Sequence, residues 1–562
     1  MLRFSRLAAL LGALLIAAPL AAQPLVYVTD PSADTLTAIN SGNNTIERTL
    51  GSIDQARAVS ISADGTRVYV AATAANGAGI VVVIDGAKVA DQNQDPVIAE
   101  IKVGGDPVAV AYDTISGLLY VADAETKNVK AYKLDGLDPD NPQAAATYDG
   151  GDSLDAMALS PDGQLLALAS TQANSVTLYN LRLIAAGQSG ESILTLDAAP
   201  LALQYSPLGE KLWIATDKGF AVFDASTGVL SSTQISGGTN SIAPDPRTGR
   251  IYFGATSGDV YVHTPNSPLI DTIATNGPVS GIALSADGTR LYAVQRCNNC
   301  GLTVIDTAIG QAFHQIFFGT APDTAGQFAG PGAIYAPNGA TSGAVDEQMS
   351  GSVKASDYNN RSLAYAVIQP PLHGQLNFNT TGDYAYTPLT GSSGVEAFAW
   401  QAIASSGEGS PNEARSRPII QTLYILPTVS TIGDQTGQPD STLGPLEFSI
   451  AGSTPLLLKL KSSNSDLVAA GQITVSSGCG TTSMDCTLKV PIKNVANGST
   501  KITLTAIGPD GLTASSSFAV KVGSGENDGG GALAPFVLGG LLLMAGLALA
   551  RRRRQRKAHE GV

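Results

Sequence analysis

The stretch "RCNNCGL" places Cys297 and Cys300 at CxxC spacing. Two thiols so placed can exchange electrons, share a zinc ion or anchor a haem. Haem attachment needs a histidine after the second cysteine, and Gly301 stands there. Structural zinc takes four ligands, and the other cysteines, Cys479 and Cys486, lie far along the chain. Redox work favours a helix N-terminus that depresses a thiolate pKa, and no helix is predicted here. The pattern reads best as a disulfide clipping a tight turn, and Cys479–Cys486 reads the same way. The loop "DGLDPDNP" carries Asp135, Asp138 and Asp140, candidate ligands for Ca²⁺. A solvated acidic loop is the competing reading. His263, His314, His373 and His559 are the four histidines, and none pairs with another at ligand spacing. There is no nucleophile elbow, no P-loop and no dinucleotide fingerprint before a helix. The residues predict no catalytic site and no required cofactor.

Any site must be carried by short strands. Charged residues make up 14% of the chain and glycines number 61, while Val, Ile, Thr and Tyr fill short runs between turns. That is an all-β composition. A chain of 562 residues exceeds one core, so several domains are expected. The hexapeptide "SADGTR" occurs at Ser62–Arg67 and again at Ser285–Arg290. Related turns hold Gly65, Gly117, Gly163, Gly209, Gly249 and Gly288, roughly 40–50 residues apart. A strand enters each turn and a Tyr-, Trp- or Leu-bearing strand leaves it. That period predicts a seven-bladed β-propeller over residues 23–338. Its closing strand is expected at about 330–338, in "GPGAIYAPNG". Asp64 and Asp287 are then turn-formers rather than paired catalytic acids.

The repeated Ser-x-Asp-Gly-x-x-(Val/Leu)-Tyr core resembles the YVTN family of seven-bladed propellers. That resemblance implies a fold and leaves the ligand open. Residues 340–425 resemble a cadherin-like repeat of the VCBS type. It is carried by Ala355, Asp357, Leu363, Tyr365, Pro370, His373, Gly374, Tyr384, Tyr386, Pro388, Gly394 and Phe398. The calcium loop of that family reads "SDYNNRS" here, with one carboxylate and an arginine, a poor cation site. Residues 426–522 resemble a bacterial immunoglobulin-like module. Two β-sandwiches are therefore expected after the propeller.

The two ends read as targeting segments. Residues 1–22 read as a signal peptide, with cleavage expected between Ala22 and Gln23 and an uncleaved anchor as the alternative. Residues 523–531 are a Gly-rich linker, and 532–550 an uncharged apolar run. As a helix that run spans roughly 28 Å, close to a bilayer core. Residues 551–562 form a basic tail, expected on the cytoplasmic side. The Gly529–Gly530–Gly531 cluster, the apolar run and Arg551–Arg552–Arg553–Arg554 resemble a GlyGly-CTERM sorting signal. That resemblance implies a rhomboid-like protease (rhombosortase), with signal peptidase acting at the other end. A permanent single-span anchor is the alternative.

The formal charge is −14, and the exported portion is more acidic still once the basic ends are set aside. Such a surface repels nucleic acid. The expectation is a non-enzymatic protein of the cell surface, or a secreted one, from a Gram-negative bacterium. Its propeller head would bind an extracellular ligand or protein, on a stalk of two modules. A lactonase-type propeller enzyme and a structural envelope protein are the alternatives.

Overall fold

The computed structural model describes residues 25–523, apart from 226, 266, 269, 299, 405–413 and 482–483. The signal segment, the apolar run at 532–550 and the basic tail lie outside the described residues. Among the described residues no helix is long and apolar enough to cross a membrane. The chain is all-β.

Residues 25–317 form seven consecutive antiparallel sheets, the first three-stranded and the others built on four-strand meanders. In the second to seventh sheets, the strand after the glycine turn is buried almost throughout. Arg67–Thr73, Leu118–Asp123, Leu165–Ser170 and Lys211–Thr216 show this. These are the continuous apolar runs of the sequence, and such a run suits a strand covered on both faces. The fourth strands, such as Glu191–Thr195 and Val229–Gln234, are mostly exposed and correspondingly polar.

The sheets follow one another in a ring. The first strands of successive sheets adjoin, from Ala58–Ile61 through Pro107–Asp113 and onward to Val279–Leu284. One apolar cluster joins Tyr27 and Leu36 of the first sheet to Val70 and Val82 of the second. It also holds Tyr292 and Leu302 of the seventh. The chain beyond the seventh sheet returns to the start. Ala325–Gly326 pairs in parallel with Ala58–Val59. Phe328 O accepts the Tyr27 N–H at 2.8 Å, and Leu25 O accepts the Gly330 N–H at 2.9 Å.

Closure therefore differs from the expected strand at 330–338. Only Gly330 of that stretch touches the first sheet through these bonds. Ile334–Tyr335 instead pairs with Ser356–Asp357 of the following unit. The physical reason lies at Gly330, where a Cβ would come 2.7 Å from Leu25 O. The chain can hug the first sheet there, and a side chain could not follow.

Residues 339–426 build one sheet from Gly339–Ala344, Leu363–Gln369, Gly394–Ala404 and Ile419–Leu426. A second sheet comes from Met349–Ser352, Gln375–Phe378 and Asp383–Thr387. Tyr384, Tyr386, Phe398 and Trp400 share the core between them. Residues 428–522 form two further four-stranded sheets around Phe448, Leu488, Leu504 and Phe518.

The repeated hexapeptide is a local hydrogen-bonded unit. Ser62 Oγ donates to Asp64 Oδ1 at 2.6 Å and accepts the Arg67 N–H at 2.9 Å. Asp64 Oδ1 also accepts the N–H and hydroxyl of Thr66. The second copy repeats every one of these bonds at Ser285, Asp287, Thr289 and Arg290. Ser160 with Asp162, and Ser206 with Glu210, are variants of the same turn. Gly65 and Gly288 adopt φ of +70° and +63°, which an L-residue resists.

Candidate functional site

In a four-strand meander the first and third turns lie at one edge. The second turn and the exit to the next sheet lie at the other. The glycine turns therefore gather on one face of the ring, and the following units cover it. Asn338 Nδ2 donates to Pro161 O at 3.1 Å. A Cβ on Gly332 would meet Ala286 at 3.2 Å. The short helix Leu181–Ala185, capped by Asn180 Oδ1, sets the Arg182 guanidinium 5.3 Å from the centre of the Tyr424 ring. Burial lowers the pKa of Arg417, and the Asp64 carboxylate opposes that shift.

The opposite face carries the shorter strand-joining loops, among them 31–34, 74–78, 124–127, 171–174 and 217–218, and acidic residues outnumber basic ones on this face. Arg57 Nη1 pairs with Asp106 at 3.0 Å. The Asp106 N–H donates to Asp123 Oδ1, which also accepts the N–H groups of Glu125 and Thr126. Burial pushes the Asp123 carboxyl up, and these hydrogen bonds, with that from the Thr126 hydroxyl, outweigh it and hold it below the usual range.

Cys297 and Cys300 sit on this face as a disulfide, with Cα atoms 5.2 Å apart. The bridge packs over Gly277, where a Cβ would come 2.3 Å from Cys297 Sγ. Next to it, Arg296 pairs with Asp323 at 3.1 Å. Cys479–Cys486 is also a disulfide, spanning 5.5 Å between Cα atoms, in the last unit.

The structure does not gather Asp135, Asp138 and Asp140 into a cation site. All three are exposed. Asp140 pairs with Lys102 at 2.6 Å, and Asp138 Oδ1 accepts the Asp140 N–H. Among the described residues no group of three or more His, Cys, Asp or Glu could hold a metal ion. In the "SDYNNRS" loop, Arg361 binds Asp357 through both Nε and Nη2 at 2.8 Å, so a guanidinium stands where a cation would. His263 lies among Trp213 and Phe220, and its pKa is lowered by burial and by Lys211. His314 is exposed on the strand Gln311–Phe317. His373 Nδ1 meets Glu396 at 2.7 Å. Ala22, Gln23, Gly529, Gly530, Gly531 and Arg551–Arg554 lie outside the described residues.

One feature of the loop face was not singled out by its sequence. A cavity of about 210 Å³ opens at the seam between the first and seventh sheets. It is lined by Asp30, Thr37 and Ile46 from the first sheet, and by Phe317, Phe318 and Pro322 from the returning chain. Asp30 is 4% exposed, and its Oδ2 is buried without a hydrogen-bond partner. The available signal was the Asp that ends "VYVTD" and "LYVAD" alike, which looks like a structural repeat position.

No family model matches the chain, and no curated protein matches it. Among solved structures, a chain of hydrazine synthase from Kuenenia stuttgartiensis is similar at 16% identity. The match covers 54% of this chain and 100% of that one, with a TM-score of 0.42.

Proposed function

We propose that this chain is an exported, non-enzymatic binding protein of the cell surface, or a secreted one. Its first unit is read as a seven-bladed β-propeller head, and the next two as cadherin-like and immunoglobulin-like β-sandwich modules forming a stalk. The C-terminal signal is read as a sorting device for a rhomboid-like protease in a Gram-negative envelope. The observation that carries the binding reading is the asymmetry of the ring. The glycine-turn face is covered by the units that follow, and among the described residues their contacts with the ring fall there rather than on the loop face. Loops held by a rigid scaffold are the usual place for recognition. The excess of carboxylates on that face favours a cationic partner.

The test pairs adhesion with chemistry. Cells producing the full chain are compared with cells producing a variant in which Asp152, Asp155 and Asp217 on the loop face are changed to lysine. Loss of attachment with unchanged surface display supports the reading. Turnover of a lactone panel by the purified protein would overturn its non-enzymatic part. Mass spectrometry of the mature C-terminus tests the sorting, since an intact Arg551–Arg554 run excludes cleavage.

A further inference from the structure

We propose that the ring and the two units after it close into one rigid bracket, in which the turn Gly508–Gly511 of the last unit is latched against the helix Leu181–Ala185 of the ring. This goes beyond the adhesive reading and holds whatever the loop face binds. The two modules then act as a fixed mount rather than a jointed stalk.

Each pair of units is in contact. Asn338 spans the boundary between the ring and the second unit. Its Nδ2 donates to Pro161 O at 3.1 Å, and its Oδ1 accepts the Ile420 N–H at 3.0 Å. Ser393 and Ser453 exchange three bonds between the second unit and the last. Ser453 Oγ accepts the Ser393 N–H at 3.0 Å and donates to Ser393 O at 2.6 Å, and Ser393 Oγ accepts the Ser453 N–H at 2.9 Å. The last unit also meets the ring. A Cβ on Gly511 would come 2.7 Å from Leu183 N and 2.8 Å from the carbonyl carbon of Arg182, so the turn backbone lies directly on the helix. Gly511 has φ of +83° as well, so glycine is required there on two counts. A Cβ on Gly187, just past the helix, would meet Lys459 Nζ at 3.1 Å.

Units joined only in a row can flex at each boundary, and relative motion is the usual behaviour of linked domains. A contact between the first and last members closes the triangle and removes that freedom. The helix Leu181–Ala185 sits where all three meet. Arg182 pairs with Asp162 of the ring, its guanidinium lies over the Tyr424 ring of the second unit, and its backbone carries Gly511 of the last. A Cβ on Gly394 of the second unit would lie 3.7 Å from Asp510 Oδ2 of the last. Arg182 Nε and Nη1, the Tyr424 hydroxyl and Asp510 Oδ2 are all shielded from solvent without a hydrogen-bond partner. Such atoms would hydrate wherever a boundary gaped, because burying them unpaired is costly. The three surfaces therefore meet without a gap. The ring keeps one orientation relative to Val522, where the last strand ends.

Cross-linking of the purified full chain tests this. Gly187 and Lys459 are both exposed. In Gly187→Cys, reagents that join a thiol to an amine should link residue 187 to Lys459, and peptide mapping should identify the link. A short-armed reagent should work as well as a long-armed one. A link that forms only with the long arm, or no link at all, overturns the proposal. Gly511→Leu, added to Gly187→Cys, should lower the short-arm yield several-fold, because its side chain would meet Leu183 and Arg182. Gly391→Leu is the control, since Gly391 has φ of +73° but nothing within 4 Å of a Cβ, and it should leave the yield unchanged. Equal yields in the two leucine variants overturn the proposal as well. If Gly511→Leu fails to fold, the comparison of arm lengths in Gly187→Cys decides alone.

Discussion

The Asp113 carboxylate lies directly against Gly163. A Cβ at that glycine would come 2.3 Å from Asp113 Oδ2. Asp113 ends the first strand of the third sheet, and Gly163 is the turn glycine of the fourth. The turn glycine therefore serves twice, once for its φ of +69° and once as the contact between neighbouring sheets. Gly288 has the same double role, with the Arg247 guanidinium donating to its carbonyl oxygen at 2.6 Å.

Gly163→Ala should destabilise the ring by more than about 1 kcal/mol, since left-handed backbone strain and the clash with Asp113 add. Gly117→Ala is the control. Its φ is +72°, but nothing lies within 4 Å of a Cβ there. Thermal melting of both variants should show the larger loss at Gly163, and equal losses would remove the inter-sheet contact from the account.

Acid should act in opposite directions on two sets of turn carboxylates. Burial raises the pKa of Asp64 and Asp287, but hydrogen bonds from Ser62 and Thr66, or Ser285 and Thr289, win and hold both below the usual range. Each then contributes stability that is complete above the unfolded value, about 4, and fades as the pH falls through the folded value. Burial leaves Asp113 raised, despite hydrogen bonds from Ser116 and Ile115, and the nearby Asp162 adds repulsion. Ionised Asp113 thus costs stability above its folded pKa, and the cost is relieved as the pH falls towards the unfolded value. Melting curves between about pH 3 and 7 should show Asp64→Asn gaining on the parent as acid is added, and Asp113→Asn losing ground. Parallel trends would contradict these assignments.

Arg182 joins the ring to the next unit. It pairs with Asp162 at 3.3 Å on its own sheet and faces the Tyr424 ring. Arg182→Ala should cost about 1–2 kcal/mol, because the contact is largely desolvated. Limited proteolysis between the ring and the second unit should accelerate. Unchanged cleavage would show that Asn338 and its bond to Pro161 suffice to hold the two together.

The disulfides should be stabilising but dispensable. Each closes a short loop, so Cys297→Ser with Cys300→Ser should cost about 2 kcal/mol in the chain-entropy model. Circular dichroism should retain its β signal while the melting temperature falls by a few degrees. Loss of the β signal would mean that the Cys297–Cys300 loop over Gly277 organises the seventh sheet rather than trimming its loop.

The amino-acid sequence by itself determined the strands and the turns of the repeat. Ser62, Asp64, Gly65 and Thr66 bond to one another within six residues, so their pattern can be read wherever it recurs. The buried second strands were legible for a similar reason, since a strand covered on both faces must be apolar throughout. Tertiary structure alone decided contacts between residues far apart in the chain. Phe328–Gly330 closes against Leu25–Tyr27 because glycine permits a close approach there, while the apolar alternation of residues 330–338 suggested a longer strand that the next unit in fact claims. The loop at Asp135–Asp140 offered candidate Ca²⁺ ligands by composition alongside the reading of a solvated acidic loop, and Lys102 occupies one of its carboxylates from another loop. Asp30 looked like Asp123 because both end the same strand of the repeat. Their difference lies in whether the surrounding chain brings a donor to Oδ2, and no local pattern encodes that.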